Sequence, residues 1–373
     1  MKVICEKEEL IRGIQTVSPV ASSKSTLPVL SNFLFETDRD RIKMSSTDLE
    51  IAVECYIKGE IIEEGGITIP AKRFADIIKE LTEEKEIEIE SDETNHIKIK
   101  SGKSRFNLMS ISKTEYPVIP EFPKEDTFFV KKEVFVSMLK KTIFAVSKDS
   151  QRYVLNGVYF IIEDNKFKMV ATDGRRLAYV TAEGIKTTKK CKAIVPAKAI
   201  NDILRLLSSD VKSEHIKIGV TDNQLATEID DITFLSTLIE GIFPNYEQVI
   251  PKKSELKVKL NVKNTLAAVK QMAVLTGDKL SSDRSSAIKL HFNSNILKIS
   301  TSTAGLGSGE VELEIKYNGE PAEINFNPNF VKEVLQNINE DFTIFEFTNS
   351  STPAIMSPEM NKNYLCVIMP MRV

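Results

Sequence analysis

The chain has 373 residues, 42% of them hydrophobic, with 50 Lys+Arg against 53 Asp+Glu and a formal charge of −3. Such a length is expected to hold two or three domains, and the near-balanced charge gives no overall pull toward a polyanion. Four scattered cysteines (Cys5, Cys55, Cys191, Cys366) without CxxC spacing suit a reducing cytosol, not a disulfide framework or a zinc site.

The opening MKVICEKEELIRG lacks an apolar h-region, and no stretch approaches the ~18 apolar residues of a membrane span, so a cytoplasmic protein is expected. In chain order, apolar residues at helical spacing predict a first helix over 7–17. KMSSTDLEIAVEC (43–55) then carries a turn between strand-like runs. TIPAKRFADIIKEL (68–81) predicts a helix over 71–81 behind Pro70, where a missing N–H costs nothing. EIEIESDETNHIKIKS (86–101) alternates with the period of a strand pair. After a Pro- and charge-rich linker, IPEFPKEDT (119–127), a helix is predicted over 131–146. VLNGVYFIIEDNKFKMVAT (154–172) reads as a hairpin turning at Asp164-Asn165, and it runs into KMVATDGRRLAYV (168–180). A helix over 197–207 follows Pro196. A second linker, VIPKKSEL (249–256), leads to a helix over 262–275. TAGLGSGE (303–310) reads as a flexible connection between strands, a helix over 330–338 follows Pro328, and VIMPMRV (367–373) reads by itself as an edge strand.

These elements repeat. KMSSTDLEIAVEC and KMVATDGRRLAYV match with Lys43 and Lys168 offset by 125, and KISTSTAGLGSGEVEL (298–313) is a weaker third relative, Lys298 lying 130 beyond Lys168. The Pro70 and Pro196 segments match at an offset of 126, with INFNPNFVKEVLQNI (324–338) as the third member. MSISKTEYPVIPEF (109–122) matches STLIEGIFPNYEQVIP (236–251). Three copies of about 124 residues span the chain, each with two helices and several antiparallel strands, so the expected fold class is α+β with a module repeated three times. The domains are expected at 1–125, 126–252 and 253–373.

Charge is not evenly spread. The six predicted helices carry 0, +1, +3, +1, +2 and 0, or +7 together, which leaves −10 for the rest of a chain of charge −3. Lys and Arg are good helix formers, which explains part of this. The alternative reading is a shared helical face toward a polyanion, since dispersed cations of that kind would bind duplex DNA without reading its sequence. Motifs for catalysis or metal binding are missing: there is no HxxxH, HExxH, GxSxG or GxxxxGK[ST], and His96, His215 and His291 stand apart. In TDGRRL, Asp173 beside Arg175 and Arg176 could serve as an acid held by cations. Against that, the first copy replaces the arginine pair with Leu49-Glu50 and the third with a Gly-rich run, which makes the turn structural and the arginines a middle-copy addition suited to binding. An enzyme built on TDGRRL and a sequence-specific DNA-binding protein remain the alternatives, the latter lacking a helix rich in base-reading side chains.

The three copies, the middle-copy YVLNG and VATDGRRLA, the EGIFPNYEQVIP junction and the terminal VIMPMRV resemble, over the whole chain, the bacterial sliding clamps, the beta subunits of DNA polymerase III. That resemblance implies a head-to-tail homodimer closed into a ring of DNA-clamp domains (N-terminal, central and C-terminal), with helices lining the hole and sheets outside. It implies no catalysis and no cofactor. The expected partners are encircled duplex DNA, the polymerase III alpha subunit, the clamp loader, and other polymerases and repair factors, bound through short linear peptides.

The site residues follow from the same resemblance. The peptide pocket is expected at Leu155, Thr172, Gly174, Arg175, Arg176, Leu177, Pro244 and Val249, with Val367, Met369, Pro370, Met371 and Arg372 of the tail. Met and Leu adapt to varied apolar anchors, and Arg can hold polar groups of a peptide. DNA contacts are expected at Lys24 in SSKSTLP, at Lys148, Gln151 and Arg152 in SKDSQR, and at Arg73, Lys141, Lys198 and Arg205 on helices. The ring seam is expected to join Lys103, Arg105, Phe106 and Leu108 to Val274 and Leu275. Arg175 stands where the best-known members have His, Gln248 where some have Arg, and Val373 where Leu is usual, and the loop KLSSDRSS (279–286) is longer than usual.

Overall fold

The computed structural model describes residues 1–373 apart from 22–26, 82–85, 93, 124, 126, 186, 188–189, 209–210, 277–286, 305 and 373. Among the described residues there are six α-helices, α1 (Lys7–Val17), α2 (Ala71–Glu80), α3 (Lys132–Ile143), α4 (Ala197–Leu207), α5 (Val262–Ala273) and α6 (Pro328–Gln336), and every strand pair is antiparallel. The chain divides into two compact units, and α3 and α4 run across the division.

The first unit is made mainly of residues 1–133 and 201–238. Its larger sheet has eight strands in the spatial order Thr127–Lys131, His215–Val220, Gln224–Ile229, Ile232–Thr237, Ile51–Ile57, Arg41–Thr47, Asn32–Asp38, Gly66–Pro70. Its smaller sheet runs Glu60–Glu63, Lys2–Glu6, Glu86–Ser91, His96–Ser101, Ser104–Met109. Helix α1 buries Leu10, Ile14 and Val17, and α2 buries Ala71, Phe74 and Ile78, the three-to-four spacing that aims one stripe of a helix at a core. Phe74 meets Phe33 edge-on at 5.6 Å, joining α2 to the large sheet.

The second unit holds residues 134–185, the stretch ending at Ile200, and 239–373. Its larger sheet again has eight strands, ordered Cys191–Pro196, Gly157–Glu163, Lys166–Thr172, Arg176–Glu183, Tyr364–Ile368, Ala354–Pro358, Phe342–Phe347, Leu256–Asn261. A four-stranded sheet runs Gly307–Glu314, Ile296–Thr303, Ile288–Asn293, Ala322–Phe326. The side chains of Asn261 and Asn327 cap α5 and α6 by accepting the N–H groups of Asn264 and Asn329, and Pro328 opens α6. Phe135, Phe160 and Phe167 fill one part of this unit and Phe292, Phe345 and Phe347 another.

Each eight-stranded sheet joins four strands from one copy to four from the next, through Ile51–Ile57 against Ile232–Thr237 and Arg176–Glu183 against Tyr364–Ile368. The strands Ser104–Met109 and Gly307–Glu314 occupy comparable places but end their sheets. TAGLGSGE corrects the sequence reading. Its second half begins the edge strand Gly307–Glu314, because the alternating Val311 and Leu313 continue the pleat, and a Cβ on Gly309 would crowd Leu275 at 2.9 Å and Met272 at 3.3 Å.

Candidate partner-binding site

The turn at 172–176 is self-contained. The Thr172 hydroxyl donates to the Arg176 carbonyl at 2.6 Å and accepts the Gly174 N–H at 3.0 Å, while the Asp173 carboxylate accepts the N–H groups of Arg175 and Arg176 at 2.9 and 3.0 Å. Asp173 is thus used in holding the turn, and Gly174 takes the left-handed corner at φ 82°. The first copy makes the same four bonds from Thr47 and Asp48. That register sets Leu49 against Gly174, Glu50 against Arg175 and Ile51 against Arg176. The alignment of Leu49-Glu50 with the two arginines is therefore one residue out.

The two arginines part company. Arg175 is exposed, and its carbonyl accepts the Met369 N–H at 2.9 Å. Arg176 is 9% exposed, and its guanidinium is fully engaged below the turn. It donates to Asp173 at 3.1 Å, to the Phe144 carbonyl at 2.6 Å and to Glu333 of α6, and it lies 4.5 Å from the Phe330 ring centre and 5.4 Å from that of Phe144.

Beside this turn is a hollow of about 130 Å³. Its floor is Leu177 and, directly opposite on the neighbouring strand, Val367. Leu155 enters from the short helical turn Ser150–Leu155, Thr172 with residues 174–176 forms one rim, Pro244 and Val249 another, and Met369 closes the tail side. Asn245 and Tyr246 also line it, and the sequence reading missed them. The Asn245 side chain caps the turn Tyr246–Gln248 by accepting the Glu247 N–H at 3.2 Å. Burial raises the Tyr246 phenol far above its ordinary range, and its ring stacks on Tyr179 at 6.1 Å. A bulky aromatic in a Pro-Asn-Tyr junction was the available signal. Pro370, Met371 and Arg372 lie outside the lining, where the Met371 N–H donates to the Asn325 carbonyl at 2.8 Å.

Of the residues assigned to DNA, Arg73 is exposed on α2, Lys198 and Arg205 are exposed on α4, and Arg205 pairs with Asp202 at 3.3 Å. Lys141 on α3 is half-buried over the Tyr364 ring at 5.3 Å, and desolvation lowers its pKa. Lys148, Gln151 and Arg152 are exposed, and the Arg152 guanidinium reaches the Asp173 carbonyl at 3.5 Å, which puts it at the rim of the hollow. Lys24 lies outside the described residues, as does the 279–286 loop. Among the seam residues, Lys103, Arg105 and Phe106 are exposed, Leu108 and Leu275 are half-buried, and Val274 is 80% exposed. Among the described residues no group of three or more His, Cys, Asp or Glu is placed to hold a metal, and no helix is long and apolar enough to cross a membrane.

An apolar floor, an exposed cation on the rim and a carboxylate already spent on its turn are suited to seating an apolar group beside a polar one. With repeated modules whose sheets are shared between copies, this defines a three-domain clamp. The chain belongs to the DNA polymerase III beta-subunit family, whose N-terminal, central and C-terminal domain models match residues 1–120, 129–245 and 247–372. The beta sliding clamp of Chlamydia pneumoniae is 32% identical over 374 residues, covering 100% of this chain and 99% of that protein, and the one from Pseudomonas aeruginosa is 30% identical over 100% of both. Among solved structures, the Pseudomonas aeruginosa beta subunit superposes with a TM-score of 0.93 at 29% identity. The Bartonella birtlesii clamp bound to griselimycin gives 0.92 at 30%, each pair covered over 100% of both chains. The family is one of non-catalytic processivity clamps of DNA replication.

Proposed function

We propose that two copies of this chain close head to tail into a ring around duplex DNA and tether the replicative polymerase and other factors to it. The observation that carries this reading is the pair of unpaired sheet edges. At both internal junctions a strand in the place of Gly307–Glu314 pairs with one in the place of Ser104–Met109. Carrying that register over sets Glu310 of one copy opposite Arg105 of the next and Gly309 opposite Phe106, so an acidic edge with Glu310, Glu312 and Glu314 meets a basic edge with Lys103 and Arg105. Phe106, at 36% exposed, would lie over a glycine beside Leu275, with Leu108 and Val274 completing the seam. Such a contact is heterologous, and a two-fold ring closes it.

The basic helices would face the hole. Spread over a wide lining, Arg73, Lys141, Lys148, Gln151, Arg152, Lys198, Arg205 and Lys24 attract phosphates without gripping bases, so the ring slides. The domain limits at 125/126 and 252/253 would mark the three modules that each copy contributes to this arrangement. The polymerase alpha subunit, the clamp loader and repair factors would enter through short peptides seated in the 130 Å³ hollow, with Arg175 and Arg372 holding their polar groups. Griselimycin, held by the Pseudomonas aeruginosa and Bartonella birtlesii clamps, is expected in the same hollow of this chain.

The deciding experiment loads the protein onto nicked circular DNA with clamp loader and ATP, then linearises the circle. Stable retention before cutting and rapid loss after it support the ring; equal retention on both topologies sinks it.

A further inference from the structure

The two eight-stranded sheets share one plan, yet the middle copy has an open hollow where the first copy is filled. In the middle copy Leu177 lies opposite Val367, which lies opposite Ile355. The same three places in the first copy hold Ala52, opposite Leu235, itself opposite Ala226. The turns beside both floors have identical hydrogen bonding, so the correspondence is positional. The junction segments correspond as well. Counting on without a gap from Tyr116-Pro117 and Phe243-Pro244 sets Ile119 against Tyr246 and Phe122 against Val249, whose neighbour Ile250 packs on the middle-copy core. Ile119 and Phe122 pack onto the Ala52, Ala226 and Leu235 floor, and the Lys217 ammonium lies 4.6 Å from the Phe122 ring centre. Val249 is 42% exposed and borders empty space.

We propose that this linker position decides whether a copy can accept a partner: Phe122 is an internal plug in the first-copy hollow, filling the seat that Val249 leaves open to an apolar side chain of a partner peptide in the middle copy. The exchange conserves packing. Two alanines in the floor make room for a phenyl ring, whereas Leu177 and Ile355 fill their own floor and the shorter Val249 leaves a gap at the rim. The plug segment is also tied down, because the Tyr116 hydroxyl accepts the Thr47 N–H at 3.0 Å, a bond Phe243 cannot make. One chain would therefore offer one apolar seat, although two of its junctions share the geometry for one.

The inference rests on reading the middle-copy hollow as the docking pocket, and the test separates the two. Griselimycin is titrated calorimetrically into wild type, Phe122→Val, Val249→Phe and the double variant, and the melting temperature of each is recorded without ligand. Wild type should take one molecule per chain, Phe122→Val a second, weaker one, Val249→Phe at least tenfold less, and the double variant one, at the first copy. Val249→Phe should melt higher than wild type with no ligand present, because the ring fills the gap. If Phe122→Val loosens the first copy, that melting shift still decides. A Val249→Phe variant that melts no higher, or a folded Phe122→Val variant that gains no site while wild type binds one, overturns the plug. If wild type takes no griselimycin but Val249→Phe is still stabilised, the plug stands and the docking reading falls.

Discussion

Leu49 and Gly174 occupy the same corner of the same turn in successive copies, at φ 79° and 82°. Only one of them is at ease there. A branched side chain in left-handed backbone crowds its own carbonyl, at a cost of roughly 1–2 kcal/mol, whereas glycine feels no such penalty. Leu49 is 56% exposed and recovers little by packing. Leu49→Gly should therefore stabilise the first unit by about 0.5–1 kcal/mol after allowing for glycine's freedom in the unfolded chain. Gly174→Ala should lose about 1 kcal/mol, with the added Cβ only 2.7 Å from the Arg152 guanidinium. Urea midpoints measure both, and a lower midpoint for Leu49→Gly would count against the strain.

The adjacent arginines should separate cleanly. Replacing Arg176 by Met leaves Glu333 and Asp173 without their cation and removes the bond to the Phe144 carbonyl, a loss of about 2–3 kcal/mol after discounting for the partly exposed Glu333. Arg175→Ala should change stability by less than about 0.5 kcal/mol, as exposed positions do, while weakening the bound peptide several-fold. Equal effects of both changes on denaturation would contradict the division.

The helices were legible because their apolar stripes repeat every three to four residues, and the prolines just before α2 and α4 and at the first position of α6 marked where three of them start. Ends were less so: α3 stops at Ile143, short of the predicted Val146, where the chain turns and the Phe144 carbonyl is taken by Arg176. The sharing of sheets between copies was not legible, since nothing in Ile51–Ile57 names Ile232–Thr237 as its neighbour. The same holds for the filled hollow: Phe122 reads as a linker residue until the floor beneath it is seen to be two alanines and a leucine. The buried engagement of the Arg176 guanidinium was not legible either, because its carboxylate partner Glu333 lies 157 residues away.

The tail is held by two backbone bonds, Met369 N–H to Arg175 on the pocket rim and Met371 N–H to Asn325 on the strand Ala322–Phe326, at 2.9 and 2.8 Å. Deleting residues 369–373 removes both and opens one wall of the hollow. Polymerase affinity should fall at least tenfold in surface-binding measurements while sedimentation still reports a dimer. Unchanged affinity would count against the pocket assignment.

Acid should weaken the first unit. Burial alone would raise the Glu9 carboxyl, but hydrogen bonds from Arg12 at 2.8 Å and the Lys58 N–H at 2.9 Å outweigh it and hold the pKa below the ordinary value. Asp230 behaves alike, with burial outweighed by the Ser213 hydroxyl and the Lys212 and Ser213 N–H groups. A carboxyl with a depressed folded pKa contributes stability above its unfolded value near 4, and that contribution is lost as pH falls through the folded value. Denaturation midpoints should therefore drop on acidification below about pH 4.5, and less steeply in Arg12→Gln, which already lacks one of the bonds to Glu9. A parallel acid limb in the variant would dismiss the Glu9 contribution.

The seam offers the sharpest test of assembly, because its two edges differ in sign. Lys103 and Arg105 lie on one and Glu310, Glu312 and Glu314 on the other, all exposed or half-buried in the single chain. Arg105→Glu places like charges across the inferred register and should weaken the dimer by at least tenfold, roughly 1.4 kcal/mol, in sedimentation at low salt. Glu310→Arg should do the same, and the two reversals combined should restore part of the affinity, since the cross-seam attraction is rebuilt while Lys298, which pairs with Glu310 at 2.5 Å, comes to face an arginine. Raising salt should shrink all of these differences, as screening shortens the reach of exposed charges. A double reversal no better than either single change would place the contact elsewhere and remove Arg105 and Glu310 from the seam.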